Sequence, residues 1–176
     1  MYLRQLTIPT RYIDGKLKTQ NVAFTRKAIS SLLEKYRAAN GSVVHIVHDT
    51  PEGAPVFTPK TALAEEFAEL APKSGEALVH KNYPGSFTAT TLEEEIKKSG
   101  KNKVVLVGYM AHVCVSTTAR QAAEKGFQVV IPADAVGDRD IPAVDGSVIN
   151  GAELTKTVLA ELKDAFATIV EGKDIQ

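Results

Sequence analysis

Cys114 is the one cysteine of the chain, and it stands in VGYMAHVCVSTTARQ, a few residues past an apolar, β-branched run and at the start of a helical pattern. A sulfur so placed sits near a helix N-terminus, where the dipole and the first N–H groups stabilise a thiolate and can also receive an oxyanion. This is the layout of a nucleophile on a tight strand-to-helix turn, suited to attack on an electrophilic carbon. A single cysteine is also often a small core hydrophobe, and position alone leaves both readings open. Thr7, His48, Asp49, His80, Lys81, Tyr109, His112 and Asp134 likewise fall at or just beyond predicted strand ends, where ligands gather in open α/β sheets. Taken by itself, Lys81 reads as a solvated strand-end lysine.

Periodicity shows the elements that must position these groups. Val22, Phe24, Ala28, Ile29, Leu32, Leu33 and Tyr36 recur at helical spacing before the left-handed stop Asn40-Gly41, which predicts a helix over residues 21–39. SVVHIVHD, EALVHK, KVVLVGY and FQVVIPADAV read as strands, the last ending at Asp134. Between them come a short helix over 60–70, a helix opened by a Thr91–Glu94 capping box, and a helix from CVSTTARQAAEK closed by Gly126. Leu154, Val158, Leu159, Leu162 and Phe166 give a last helix one apolar face, and ATIV forms a closing strand. Strands that alternate with helices and read as continuous apolar runs predict an α/β fold, a three-layer α/β/α sandwich with a mainly parallel, Rossmann-like central sheet. At 176 residues the whole chain, 1–176, reads as one domain.

Lys plus Arg and Asp plus Glu both total 21, so no long-range field favours nucleic acid or a membrane surface, and a small molecule is the expected partner. One cysteine permits no disulfide within the chain and fits a reducing compartment. MYLRQLTIPTR lacks the apolar core of a signal peptide, and no stretch of about 18 apolar residues follows that could span a bilayer. The expected location is the cytoplasm.

VVLVGYMAHVCVSTTARQAAEKGFQVVIPADAV resembles the signature of the isochorismatase-like cysteine hydrolases, and HKNYPGSFTATTL resembles the lysine segment that precedes it there; the likeness runs from about Tyr12 to the C-terminus. The resemblance implies a triad of Asp, Lys and Cys with the cysteine attacking a carbonyl, imine or vinyl-ether carbon of an isochorismate-, amide- or carbamoyl-type metabolite, without a cofactor. Cys114 matches the nucleophile and Lys81 its cationic partner. By the same match, a cis peptide falls at Met110-Ala111, the N–H groups of Ala111 and Cys114 form an oxyanion hole, and Tyr83, Phe87, Tyr109, Met110 and His112 wall the pocket. A dimer or higher homo-oligomer is implied as well.

One position departs from the family pattern. Anchored on Tyr12, LTIPTRY overlies the family's apolar-Asp-x-Gln-x-x-aromatic strand, so Thr7 takes the aspartate's place and Pro9 the glutamine's. MYLRQ is also more polar than a buried central strand, and residues 1–11 read as a divergent or truncated first strand. Thr7 cannot take a thiol proton at neutral pH as a carboxylate can. The alternative reading is therefore an impaired homologue that binds a metabolite or a protein. Asp49 and Asp134 are the candidate replacement carboxylates, whereas Asp14 reads as a turn residue beside Gly15. A redox-sensing thiol is a third reading, although no resolving cysteine accompanies Cys114. His45, His48 and Asp49 invite comparison with zinc-binding relatives, but strand alternation turns His45 to the opposite face and no metal is expected.

Overall fold

The computed structural model describes residues 17–54 and 66–175, together with the backbone of 2–6. In chain order the elements are β1 (Tyr2–Leu6), α1 (Val22–Ala38), β2 (Ser42–His48), β3 (Ala77–Lys81), α2 (Leu92–Lys97), β4 (Lys103–Tyr109), α3 (Ser116–Glu124), β5 (Gln128–Pro132), β6 (Val136–Gly137), β7 (Ile141–Pro142), β8 (Val148–Ile149), α4 (Gly151–Ala165) and β9 (Thr168–Val170). The sheet is parallel in the order β3-β2-β1-β4-β5-β9, with β6 pairing the end of β4, while β7 and β8 form a separate antiparallel hairpin.

Alternation along β4 builds the two outer layers. Val104 and Leu106 join Leu92 and Ile96 of α2, Ala119 and Ala122 of α3, and Val158 and Leu162 of α4 on one face. Val105 and Val107 meet Ile29, Leu32, Leu33 and Tyr36 of α1 on the other. A strand covered on both sides has no polar face, which is why its sequence reads as an unbroken apolar run. The result is the three-layer α/β/α sandwich expected from the sequence.

Three local expectations shift. β1 lies between β2 and β4 and pairs with both, so the polarity of MYLRQ does not keep it from a central position. Backbone hydrogen bonding on two sides does not depend on which side chains the strand carries. Thr91 makes no side-chain cap, because its backbone (φ −85, ψ 8) is turned rather than extended; Thr90 instead accepts from the Leu92 N–H at 3.3 Å and donates to the Ser86 carbonyl at 2.6 Å. β5 stops at Pro132, and Ala133–Ala135 follows as a 3₁₀ turn. Thr7, Pro9, Tyr12, Asp14 and most of the expected 60–70 helix lie outside the described residues.

On the α1 side of β2, fully buried His45 sits between two carboxylates, with Nδ1 3.2 Å from Glu66 Oε2 and Nε2 2.9 Å from Glu76 Oε2. Arg37 of α1 grips Glu76 with two bonds of 2.7 and 2.8 Å and reaches the Ala71 carbonyl at 2.9 Å. That guanidinium, more than any other group, holds the Glu76 carboxyl down to about 2.

Candidate active site

The register of two neighbouring strands brings the first pair of polar groups together. β2 and β3 align His48 beside Lys81. His48 has the parity of Val44 and Ile46, and Lys81 that of Val79, so both side chains lie on the face that carries α2, α3 and α4. Lys81 is 1% exposed, and its Nζ lies 3.0 Å from His48 Nδ1. The same nitrogen donates to the carbonyls of Tyr83 and Pro84 at 2.8 and 3.0 Å and lies 3.4 Å from Cys114 Sγ. An ammonium has three protons, and four acceptors surround this one.

Burial pushes Lys81 below the usual lysine range, and the Cys114 sulfur beside it acts in the opposite direction. His48 is pushed down to about 4, first by burial and then by the charge of Lys81, with Asp49 opposing. His48 is therefore neutral at neutral pH, and the contact with an ammonium makes Nδ1 its acceptor nitrogen. The cation thus has its positive charge shared between a neutral imidazole, two carbonyls and a sulfur.

Cys114 is 8% exposed and lies in a single π-helical turn, Ala111–Val115, that joins β4 to α3. The Met110 carbonyl accepts from the N–H groups of both Val113 and Val115 at 3.2 Å. The cis peptide at this turn is Tyr109-Met110, at the very end of β4, one bond earlier than the resemblance placed it. Asp138, completely buried, clamps the turn from the side: its Oδ2 accepts from the His112 N–H at 2.8 Å and lies 2.7 Å from His112 Nδ1. Its Oδ1 accepts from the Arg139 N–H at 2.8 Å.

The loop after β3 is latched to α3. Thr118 Oγ1 accepts from the Ser86 N–H at 3.1 Å and lies 3.0 Å from Ser86 Oγ. Gln121 accepts from the Phe87 N–H at 3.3 Å and donates to Thr88 Oγ1 at 2.8 Å. A Cβ at Gly85 would stand 2.4 Å from the Gln121 amide oxygen, so a side chain there would displace the amide that forms this latch. The lysine's loop and the cysteine's helix are in this way held as one piece.

Among the residues singled out from sequence, Cys114, Lys81 and His48 meet directly. Ala111 and His112 belong to the nucleophile's turn, and Tyr83, with an exposed ring, contributes its carbonyl to Lys81. Tyr109 and Met110 pack in the cluster facing α1, with the Tyr109 hydroxyl against Thr25, and Phe87 stacks on Phe127 at 5.9 Å. Asp49 is engaged by His80 at 2.8 Å, and Asp134 accepts from the Gly172 N–H at 2.8 Å. Asp138 was not visible as a site residue, because its loop carries no periodicity. Its one signal is the Asp-Arg-Asp run directly after the β6 glycine. Among the described residues no group of three or more His, Cys, Asp or Glu could hold a metal ion, and no helix is long and apolar enough to cross a membrane.

Residues 11–174 match the model of the isochorismatase domain. The secreted isochorismatase effector Isc1 of Verticillium dahliae is 61% identical over 93% of this chain and 84% of its own length. A streptothricin hydrolase of Streptomyces noursei is 32% identical over 96% of this chain and 64% of its own length. The crystal structure of an isochorismatase from Pseudomonas putida superposes with a TM-score of 0.95 at 27% identity, covering 99% of this chain and 89% of the other. The Verticillium relative overturns the cytoplasmic location expected from the N-terminus and the single cysteine: a protein alike along nearly the whole chain is a secreted effector. A fold without disulfides is compatible with export when its buried core is large enough to hold it together.

Proposed function

This chain belongs to the isochorismatase family, and on that premise we propose that it is a cysteine hydrolase in which Cys114 is the nucleophile and Lys81 its electrostatic partner. It is a hydrolase of this family, and its substrate is a small metabolite. The substrate proposed is of isochorismate, amide or carbamoyl type, a molecule with a trigonal carbon open to the sulfur. The observation that carries the reading is the buried contact of 3.4 Å between Lys81 Nζ and Cys114 Sγ. A cation at that distance stabilises negative charge as it develops on sulfur, and the surrounding low dielectric strengthens the effect. The N–H groups of Ala111 and Cys114 are the proposed oxyanion donors, with Tyr83, Phe87, Tyr109, Met110 and His112 as proposed pocket residues. Self-association into a dimer or larger oligomer belongs to the same proposal and is measured by light scattering.

The test is the rate of Cys114 alkylation by iodoacetamide at neutral pH, in the parent protein and in Lys81→Ala. The expected outcome is a reactive thiol that slows on the order of tenfold without the cation. A thiol equally inert in both proteins would reduce Cys114 to a core residue and end the reading.

A second reading, an impaired homologue that binds rather than cleaves, draws on a specific observation: among the described residues, Lys81 is the one side chain recorded within hydrogen-bonding distance of the sulfur, and it is not a carboxylate. Thr7→Asp separates the two. Reactivity that appears only in that variant favours the impaired homologue.

A further inference from the structure

A hydrolase of this kind needs a group that moves protons, and the resemblance lays Thr7 over the family's aspartate. Neither of the carboxylates considered as a replacement is within hydrogen-bonding distance of Cys114 Sγ or Lys81 Nζ; Asp49 bonds to His80 and Asp134 to the Gly172 N–H. The turn that carries the nucleophile does hold an imidazole. Asp138, without solvent exposure, spans His112 from its N–H to its Nδ1, with both carboxylate oxygens within 2.8 Å of that ring nitrogen. A carboxylate on Nδ1 fixes that nitrogen as the protonated one and directs Nε2 away from it. Nε2 has no hydrogen-bond partner among the described residues, and the His112 side chain keeps 23% of its surface exposed; it stands two residues before Cys114 in the same turn, a spacing at which the two side chains do not face each other and a proton passes between them through water.

We propose that His112 is the acid–base group of this site and Asp138 the residue that positions it, an assignment that rests on the hydrolase reading above. For an amide the steps balance as follows. The thiol proton passes to His112 Nε2 through water, and the Cys114 thiolate, faced by Lys81, forms a C–S bond with the carbonyl carbon. The C–N bond breaks as imidazolium gives its proton to the departing nitrogen, leaving a thioester and neutral His112. Water then adds to the thioester carbon while Nε2 takes one of its protons. The C–S bond breaks, the carboxylic acid leaves, and thiolate and imidazolium are restored. Asp138 keeps the ring oriented throughout and faces the imidazolium whenever it forms.

An activated ester isolates the second half of this cycle, because nitrophenolate departs without needing a proton. With p-nitrophenyl acetate the parent protein should give a burst of nitrophenolate that Cys114→Ala abolishes. His112→Ala leaves the backbone N–H bond to Asp138 in place. It is expected to form the burst more slowly, since the thiol proton must then leave to solvent, to slow steady turnover by about a hundredfold, to accumulate a thioester on Cys114 visible by intact mass, and to recover part of both rates with added imidazole. Asp138→Asn should slow turnover less and also accumulate the thioester. Unchanged turnover in His112→Ala, or loss of burst and turnover together with no imidazole rescue, overturns the assignment and leaves the hydrolase reading standing. A parent protein with no burst dependent on Cys114 overturns both.

Discussion

Two histidines stand three residues apart on β2 and serve opposite purposes. His45 points to the α1 face, where it lies between the carboxylates of Glu66 and Glu76 and the Arg37 guanidinium pairs with Glu76, while Glu66 Oε1 is buried without a hydrogen-bond partner among the described residues. His48 points to the other face and meets an ammonium, where burial first and that charge second hold it neutral; there the cation's neighbours are carbonyls, an imidazole and a sulfur, none of them a carboxylate. The first cluster has the composition of a brace between α1 and the sheet. In the second, no carboxylate among the described residues is hydrogen-bonded to the ammonium, and in the proposed reading charge arising on the sulfur completes it. Buried polar groups of similar burial can thus be told apart by whether the fold balances them internally or leaves the balance to a reacting atom.

Variants on the two faces test that contrast. Glu76→Ala should have the largest effect on stability, about 3 kcal/mol or more by urea denaturation, since it strands Arg37 and His45 in a buried setting. Lys81→Met should cost less, within about 2 kcal/mol. It removes a desolvated charge but also the donors to Tyr83 and Pro84. The same variant should slow alkylation of Cys114. If it unfolds the protein as readily as Glu76→Ala does, the contrast fails and Lys81 is a brace as well.

Acid should act on the two faces in separate windows. His48, lowered from 6.5 to about 4, is protonated more readily in the unfolded chain. Its contribution is complete above about pH 6.5 and is lost as the pH falls to about 4. Glu76, lowered from 4.5 to about 2, keeps its contribution above pH 4.5 and loses it on the way down to about 2. Stability measured against pH should therefore lose its upper slope in His48→Gln and its lower slope in Glu76→Gln. The smallest effect belongs to the exposed His80–Asp49 pair beside the site, where His80→Ala should change stability by less than about 1 kcal/mol.

The α/β layering was legible because β4 is apolar on both faces and α1 and α4 on one. Cys114 stood out by its place between strand and helix, whereas Lys81, which by itself reads as a solvated strand-end lysine, was singled out only through the resemblance of its segment. The contact of His48 with Lys81 was not, since it depends on the register of strands separated by a long intervening stretch, and periodicity says nothing about register. Asp138 escaped for a related reason: its partner, His112, is 26 residues away and reached through a loop. The polarity of MYLRQ pointed away from a central strand because hydropathy scores side chains, whereas two-sided pairing of β1 engages the backbone. Location failed in another way, because cysteine count and one short N-terminal stretch are too little to report a protein's destination.

The latch between Gly85–Thr88 and α3 has a consequence for how such a protein can diversify. With Gln121 filling the space a side chain at position 85 would need, bulk there would push the amide aside and break its bonds to Phe87 and Thr88. Sequence change is accommodated more readily in other stretches, such as the hairpin arm of β7 and β8. There Val144 and Val148 stand exposed, and sequence can drift without altering the spacing of the reacting groups.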